Sequence, residues 1–440
     1  MTTSDSPTLV LRFADVGVAT YASLRIVGQP ARTVTWVVEE PILLAALAEL
    51  VDALPNPQHG EDRTDAVERA LTTGPFAAPH SELTVAYVLG VLLIGAAGWQ
   101  LLMECVSSPR AVLFVAPSAR LAGVPWGLLA LPTAGPTAEE LVRARAGALT
   151  TSGPTAARIP WQLGNLAELT EGYRLLELVD VLMAAPPNIV AAPRTPTPWQ
   201  HRQGNPALLV LDPRVPGQRP DSALGSVLGR PTPQTRLARH FAELVNRGQI
   251  LPGVAAAVEL FRRTDADRGW LAAQLARTPS RLLFVGHASA ADGDVGHADR
   301  AAIHLAEDHP LSAAALMAAQ LPLPPRVALV ACASGGDYHF DEATGLVAAM
   351  ILGGAQLVTA TLWSLPTAAG YRHFTASDHP DVDPMADLII AVDGAHQEPD
   401  AGLAVNRWQR AQLRRWRAGE VTASPLYWAA LVTFAVDGQR

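Results

Sequence analysis

Apolar and polar positions alternate along Leu9–Phe13 and Thr33–Val38, the two-residue period of half-buried strands, and predict a small N-terminal β-hairpin or sheet. Pro41 then opens a Leu- and Ala-rich run to Leu54, a polar loop lies around Pro55–Arg63, and a helical pattern resumes beyond it. The segment Leu83–Met103 carries no charge and has only Thr84 and Gln100 as clearly polar side chains. It is long enough for a membrane span, which takes about 20 apolar residues. Gly90, Gly95 and Gly98 within it, Ser81 and Glu82 as helix-entry residues, and the lack of a flanking Arg cluster favour a buried core helix instead.

From Ala111 the texture changes. Short β-branched runs such as Val112–Ala116 end in turn residues and alternate with Ala/Leu helices. A Pro-rich stretch, Ala185–Pro206, reads as an internal linker. After it come the clearest buried strands: Ala207–Leu211, Arg281–Val285, Arg326–Val330 and Gln356–Thr361. A helical pattern separates each from the next, as parallel βαβ units require, so the expected fold class is α/β with a mostly parallel sheet. No internal repeat at solenoid spacing is present.

Composition narrows the function. A chain of 440 residues that is 49% hydrophobic has core enough for two or three domains, which excludes disorder over most of its length. The formal net charge of −8 speaks against nucleic acid or an anionic membrane as the main partner. All 33 basic residues are Arg, so a Schiff-base or P-loop lysine is excluded. With so much Ala, Pro and Gly, this reads as the coding bias of a GC-rich bacterial genome. Cys105 and Cys332 are too few for a disulfide framework or a structural zinc site. That, and an N-terminus without a basic-then-apolar signal, leads to an expectation of a cytoplasmic protein.

In open parallel sheets, chemistry gathers at the carboxyl ends of strands. The strand Arg281–Val285 runs into Gly286, His287, Ala288 and Ser289, and Arg326–Val330 runs into Ala331, Cys332, Ala333, Ser334, Gly335 and Gly336. One strand–helix–strand unit separates His287 from Cys332. An imidazole at one strand end can take the proton of a thiol at the next and later return it to a leaving amine. Gly335 and Gly336 let the chain turn closely around the sulfur, and the backbone N–H groups of Cys332 and Ala288 are candidate oxyanion-hole donors. On spacing alone, a buried strand-end Cys and a hydrogen-bonded loop His are the commoner reading of such residues.

The segments Leu282–His287 and Val327–Gly335 resemble the histidine and cysteine motifs of the CHAT domain, a bacterial relative of caspases and separases in the caspase-like cysteine peptidase clan. Gly345–Leu346 with Gly353–Trp363 looks like that family's helix and strand ending in tryptophan, and Ser424–Val432 resembles its closing strand. Ala111–Leu131, with Pro125 and Trp126, and Ala207–Pro213 are similar to family blocks in the same order. The resemblance implies a caspase-like, mostly parallel sheet flanked by helices over residues 207–440. An inactive companion lobe over 106–206 and a β-hairpin plus helical region over 1–105 would precede it. It also implies a cysteine endopeptidase with Cys332 as nucleophile and His287 as general base and acid. Where the family commonly has Gly after the histidine, this chain has Ala288.

In this clan the end of the first core strand helps line the primary specificity pocket, so Asp212 would favour Arg or Lys at P1; the other reading is a turn cap before Pro213. Val330, two before the cysteine, is not the acidic residue of some basic-specific relatives. The acidic loop Asp337–Glu342 either shapes the groove or is a solvated loop. His297, His304 and His309 lack metal-ligand spacing, and neither metal nor cofactor is expected. The run Arg407–Arg417 reads as one face of an amphipathic helix, and Trp99, Trp126, Trp363 and Trp428 as core anchors. Expected partners are a protein or peptide substrate and an activating or regulatory protein, not nucleic acid or a membrane. Two other functions stay open: a catalytically silent scaffold for protein interaction, and an amidase on small molecules.

Overall fold

The computed structural model describes residues 6–58, 60–106, 110–133, 165–219, 224–289, 298–331, 345–375 and 382–440. The N-terminal strands are β1 (Thr8–Asp15), β2 (Ala19–Ile26) and β3 (Gln29–Glu39). They form a three-stranded antiparallel meander, the sheet of the two expected alternatives. The middle strand is the one the alternation count missed, because Thr20 and Ala22 hold inward positions that Val or Leu would have made obvious.

Three helices follow, α1 (Glu40–Ala53), α2 (Arg63–Thr72) and α3 (Pro79–Glu104). The apolar helix α3 meets the length and composition of a membrane span, yet 78% of its most apolar window is buried inside the fold. Its glycines explain how. A Cβ on Gly90 would come within 2.1 Å of the Ala130 carbonyl oxygen, so a neighbouring chain crosses the helix at bare backbone. Gly95 sits at φ +65° where the Trp36 ring lies against it, and the helix kinks there.

Strands β4 (Val112–Ala116) and β5 (Asp180–Ala184) continue the sheet, β4 running parallel to β1. The second half supplies β6 (Ala207–Leu211), β7 (Ile250–Leu251), β8 (Arg281–Gly286), β12 (Arg326–Ala331), β13 (Leu357–Thr361) and β14 (Leu431–Ala435). Three two-residue strands, β9 (Ala288–Ser289), β10 (Ala302–Ile303) and β11 (Leu311–Ser312), make a separate small sheet. Among the described residues the large sheet has eleven strands in the order β3-β2-β1-β4-β5-β14-β13-β12-β8-β6-β7. An antiparallel N-terminal meander continued by parallel β4 and β5 meets a parallel block of β13, β12, β8, β6 and β7 at β14, which runs antiparallel to β13 and parallel to β5. The last strand of the chain thereby closes both halves into one sheet.

Strands β6, β8, β12 and β13 are buried along their whole length, as expected of parallel strands covered on both faces. The covering helices include α4 (Arg236–Asn246), α5 (Ala313–Ala319), α6 (Leu346–Leu352), α7 (Ala368–Phe374), α8 (Pro384–Ala395) and α9 (Ala401–Arg417). Trp99, Trp126, Trp363 and Trp428 are core anchors, each 3% exposed or less. The Pro-rich stretch Ala185–Pro206 is packed rather than free. Ile189 and Trp199 are buried, and the Arg326 guanidinium stacks 3.7 Å above the Trp199 ring.

Candidate functional site

His287 follows directly on β8 and is 7% exposed. Its Nε2 lies 2.6 Å from the Gly225 carbonyl oxygen, which accepts only from an N–H, so Nε2 is the donor of this hydrogen bond. The main chain is held as well: the His304 N–H donates to the His287 carbonyl at 2.9 Å. That bond makes His287 and His304 a hydrogen-bonded pair of the small sheet. Ala288, opposite Ile303, is then a non-hydrogen-bonded position whose N–H turns away from β10.

Cys332 lies outside the described residues, with Gly335, Gly336, the Asp337–Glu342 loop and His297. The residue before it does not. Ala331 ends β12 directly beside Gly286, the residue before His287, in parallel register. The two chains therefore leave the sheet side by side, about 4.8 Å apart.

Asp212 follows β6 at φ +51°, a left-handed conformation that Asp tolerates better than most residues. Its N–H donates to the Val285 carbonyl at 2.6 Å, and its carboxylate turns inward. The carboxylate accepts from the Ser226 hydroxyl at 2.6 Å, from the N–H groups of Val227 and Leu228 at 3.3 and 3.4 Å, and from Arg262 at 3.3 Å. Burial raises its pKa, against the pull of these donors. The residue is 0% exposed and its oxygens are engaged by four donors, so a basic P1 side chain would have to displace one of them to reach Asp212.

His287 lines a cleft of about 550 Å³. One wall is the Gly225–Val227 loop and another is Ser364–Thr367 with the first turns of α7. The N-terminal region supplies a third, through Pro55 and the start of α2, Asp62–Thr64 with Val67. The Asn56 side-chain oxygen accepts from the Ser364 N–H, tying two walls together. Sequence reasoning missed Gly225, Asn56 and the α2 residues. Nothing local marks them, since each contact is to a backbone group or a matter of shape and joins residues far apart along the chain.

The model of the CHAT domain matches residues 93–436, most of the chain. The chain belongs to the CHAT-domain family. The likeness drawn from its ordered motifs, and with it the mostly parallel sheet flanked by helices, is borne out. Two crystal structures of the Saccharomyces cerevisiae separase–securin complex are similar at 10% identity, with TM-scores of 0.43 and 0.39. In each the match covers 98% of this chain and 30% of the other. No curated protein matches in sequence.

Elsewhere in this CHAT protein the remaining candidates are structural. The His304 Nε2 meets the Ser289 hydroxyl at 2.6 Å, and burial, with His287 nearby, lowers its pKa. No group of three or more His, Cys, Asp or Glu able to hold a metal occurs among the described residues. Helix α9 buries one face, where Arg410 reaches the Asp180 carboxylate at 2.6 Å. Cys105 is buried, and that burial raises its thiol pKa.

Proposed function

We propose that this CHAT protein is a cysteine endopeptidase with His287 as general base and acid and Cys332 as nucleophile. The observation that carries the reading is the register of Ala331 beside Gly286, from which the two residues follow at adjacent strand ends. With Nε2–H donating to the Gly225 carbonyl, Nδ1 is the nitrogen that would take the thiol proton. The thiolate attacks the scissile carbonyl carbon, and the N–H groups of Ala288 and Cys332 stabilise the oxyanion. The imidazolium then gives its proton to the leaving amine. A water, deprotonated by His287, hydrolyses the thioester and frees the thiol. An open cleft with three walls suits an extended peptide. Narrow specificity, regulation and a role in bacterial defence or cell death are the parts of this proposal that rest on family membership alone.

The test is mass spectrometry of a diverse peptide library incubated with the purified chain, beside Cys332→Ala and His287→Ala. Cleavage at a restricted set of sites, absent in both variants, is the expected result. A chain that cleaves nothing alone or with cell extract, and whose Cys332 thiol reacts no faster than a free cysteine, is a scaffold rather than an enzyme.

A further inference from the structure

We propose that Asp212 is a positioning residue for His287: its carboxylate holds the Gly225–Leu228 loop so that the Gly225 carbonyl meets the imidazole Nε2–H. The proposal rests on the reading of His287 as the general base. Its geometry is a short chain of contacts. The carboxylate accepts from Ser226, Val227 and Leu228, the three residues that follow Gly225, and Gly225 is itself buried with its carbonyl on His287.

The donors are of the right kind. A carboxylate with a hydroxyl, two N–H groups and a guanidinium aimed at it is an acceptor-only group in an all-donor nest. An amide in its place would turn an NH₂ toward at least one of those donors. The Ser226 hydroxyl also contacts the Gly229 carbonyl at 3.0 Å, so the loop closes on itself around the carboxylate. The turn that aims Asp212 there is set by its positive φ and by the Arg262 N–H donating to the Leu211 carbonyl at 3.1 Å. Asp212 itself does not line the cleft, whereas Gly225, Ser226 and Val227 do. Its influence on chemistry therefore passes through the loop.

The experiment compares the full chain with Asp212→Asn and Ser226→Ala, in which each variant removes part of the nest. Nitrogen-15 NMR of histidine-labelled protein, with His287 assigned through His287→Gln, reads the imidazole tautomer directly. Asp212→Asn is expected to shift the His287 population away from the Nε2–H form, and Ser226→Ala to do so less. On the best library peptide, kcat should fall by about tenfold or more with KM changing little, since a misplaced base lowers only transition-state stabilisation. An unchanged tautomer in a folded Asp212→Asn variant overturns the proposal. So does a change of P1 preference with kcat intact, the signature of a specificity residue. If the chain cleaves nothing at all, the reading of His287 as a base fails, while the NMR result still decides whether Asp212 sets its tautomer.

Discussion

Glu82 of α3 and Arg174 form a buried ion pair at 2.8 Å, with side chains 1% and 2% exposed, that ties α3 to the segment leading into β5. The carboxylate also accepts the indole N–H of Trp416 at 3.1 Å, so one acid joins three distant segments. Breaking a buried pair strands the surviving charge, which costs about 3–5 kcal/mol. Glu82→Ala should lose that much in urea unfolding. Glu82→Leu combined with Arg174→Met should lose clearly less than the two single changes summed; full additivity would show that the pair is not coupled.

His396 is buried and its Nε2 meets the Thr359 hydroxyl at 2.8 Å. Burial, reinforced by the positive charges of Arg326 and Arg281, pulls its pKa down to about 3 from 6.5. The unfolded chain thus takes up this proton first as the pH falls. The contribution is complete above pH 6.5 and shrinks between there and about pH 3, approaching about 1.4 kcal/mol per pH unit. Denaturant unfolding at pH 7, 5.5 and 4.5 should show a steeper decline for the wild type than for His396→Asn. Parallel declines would remove His396 as the cause.

Gly90 has a backbone oxygen where a side chain would begin, and backbone cannot step aside as a side-chain tip can. Gly90→Ala should destabilise by at least about 3 kcal/mol, the upper range for overpacking. Gly394, in helix α8 with nothing within 4 Å of an added Cβ, is the control. Gly394→Ala should gain about 0.4–1 kcal/mol through the unfolded state. Thermal melts of the two variants that coincide would contradict the crossing at Gly90.

Arg69 of α2 holds the cleft-wall loop from behind, donating to the Glu61 carboxylate at 2.8 and 2.9 Å and to the Leu54 and Asn56 carbonyls at 3.2 and 3.1 Å. It touches none of the residues assigned to the reaction. Arg69→Ala should loosen the loop, seen as faster amide exchange at residues 54–61. On a cleaved peptide it should raise KM by a few-fold, with a smaller change in kcat. A loss confined to kcat would mean that this wall does not bind substrate.

Much of the fold was legible in the chain. Continuous apolar runs marked β6, β8, β12 and β13, because strands buried on both faces leave no room for polar side chains. The strand-end placement of His287 could be read for the same reason: motif, strand and turn lie within a few consecutive residues. Where signals were weak, the reading slipped. Strand β2 hid behind Thr20 and Ala22 on its core face, and the Pro-rich Ala185–Pro206 read as a linker although Trp199 packs under Arg326.

What the sequence by itself determined is the set of elements and the order of its chemistry-bearing residues, since both depend on short-range periodicity and local turn chemistry. Only the tertiary structure decided what those residues meet. The Gly225 carbonyl reaches His287 across 62 residues, Asn56 reaches Ser364 across 308, and the Asp212 carboxylate turns inward to a loop instead of outward to the cleft. The reason is physical: a hydrogen bond to backbone or a wall set by shape asks for a position in space and leaves no mark on the local pattern.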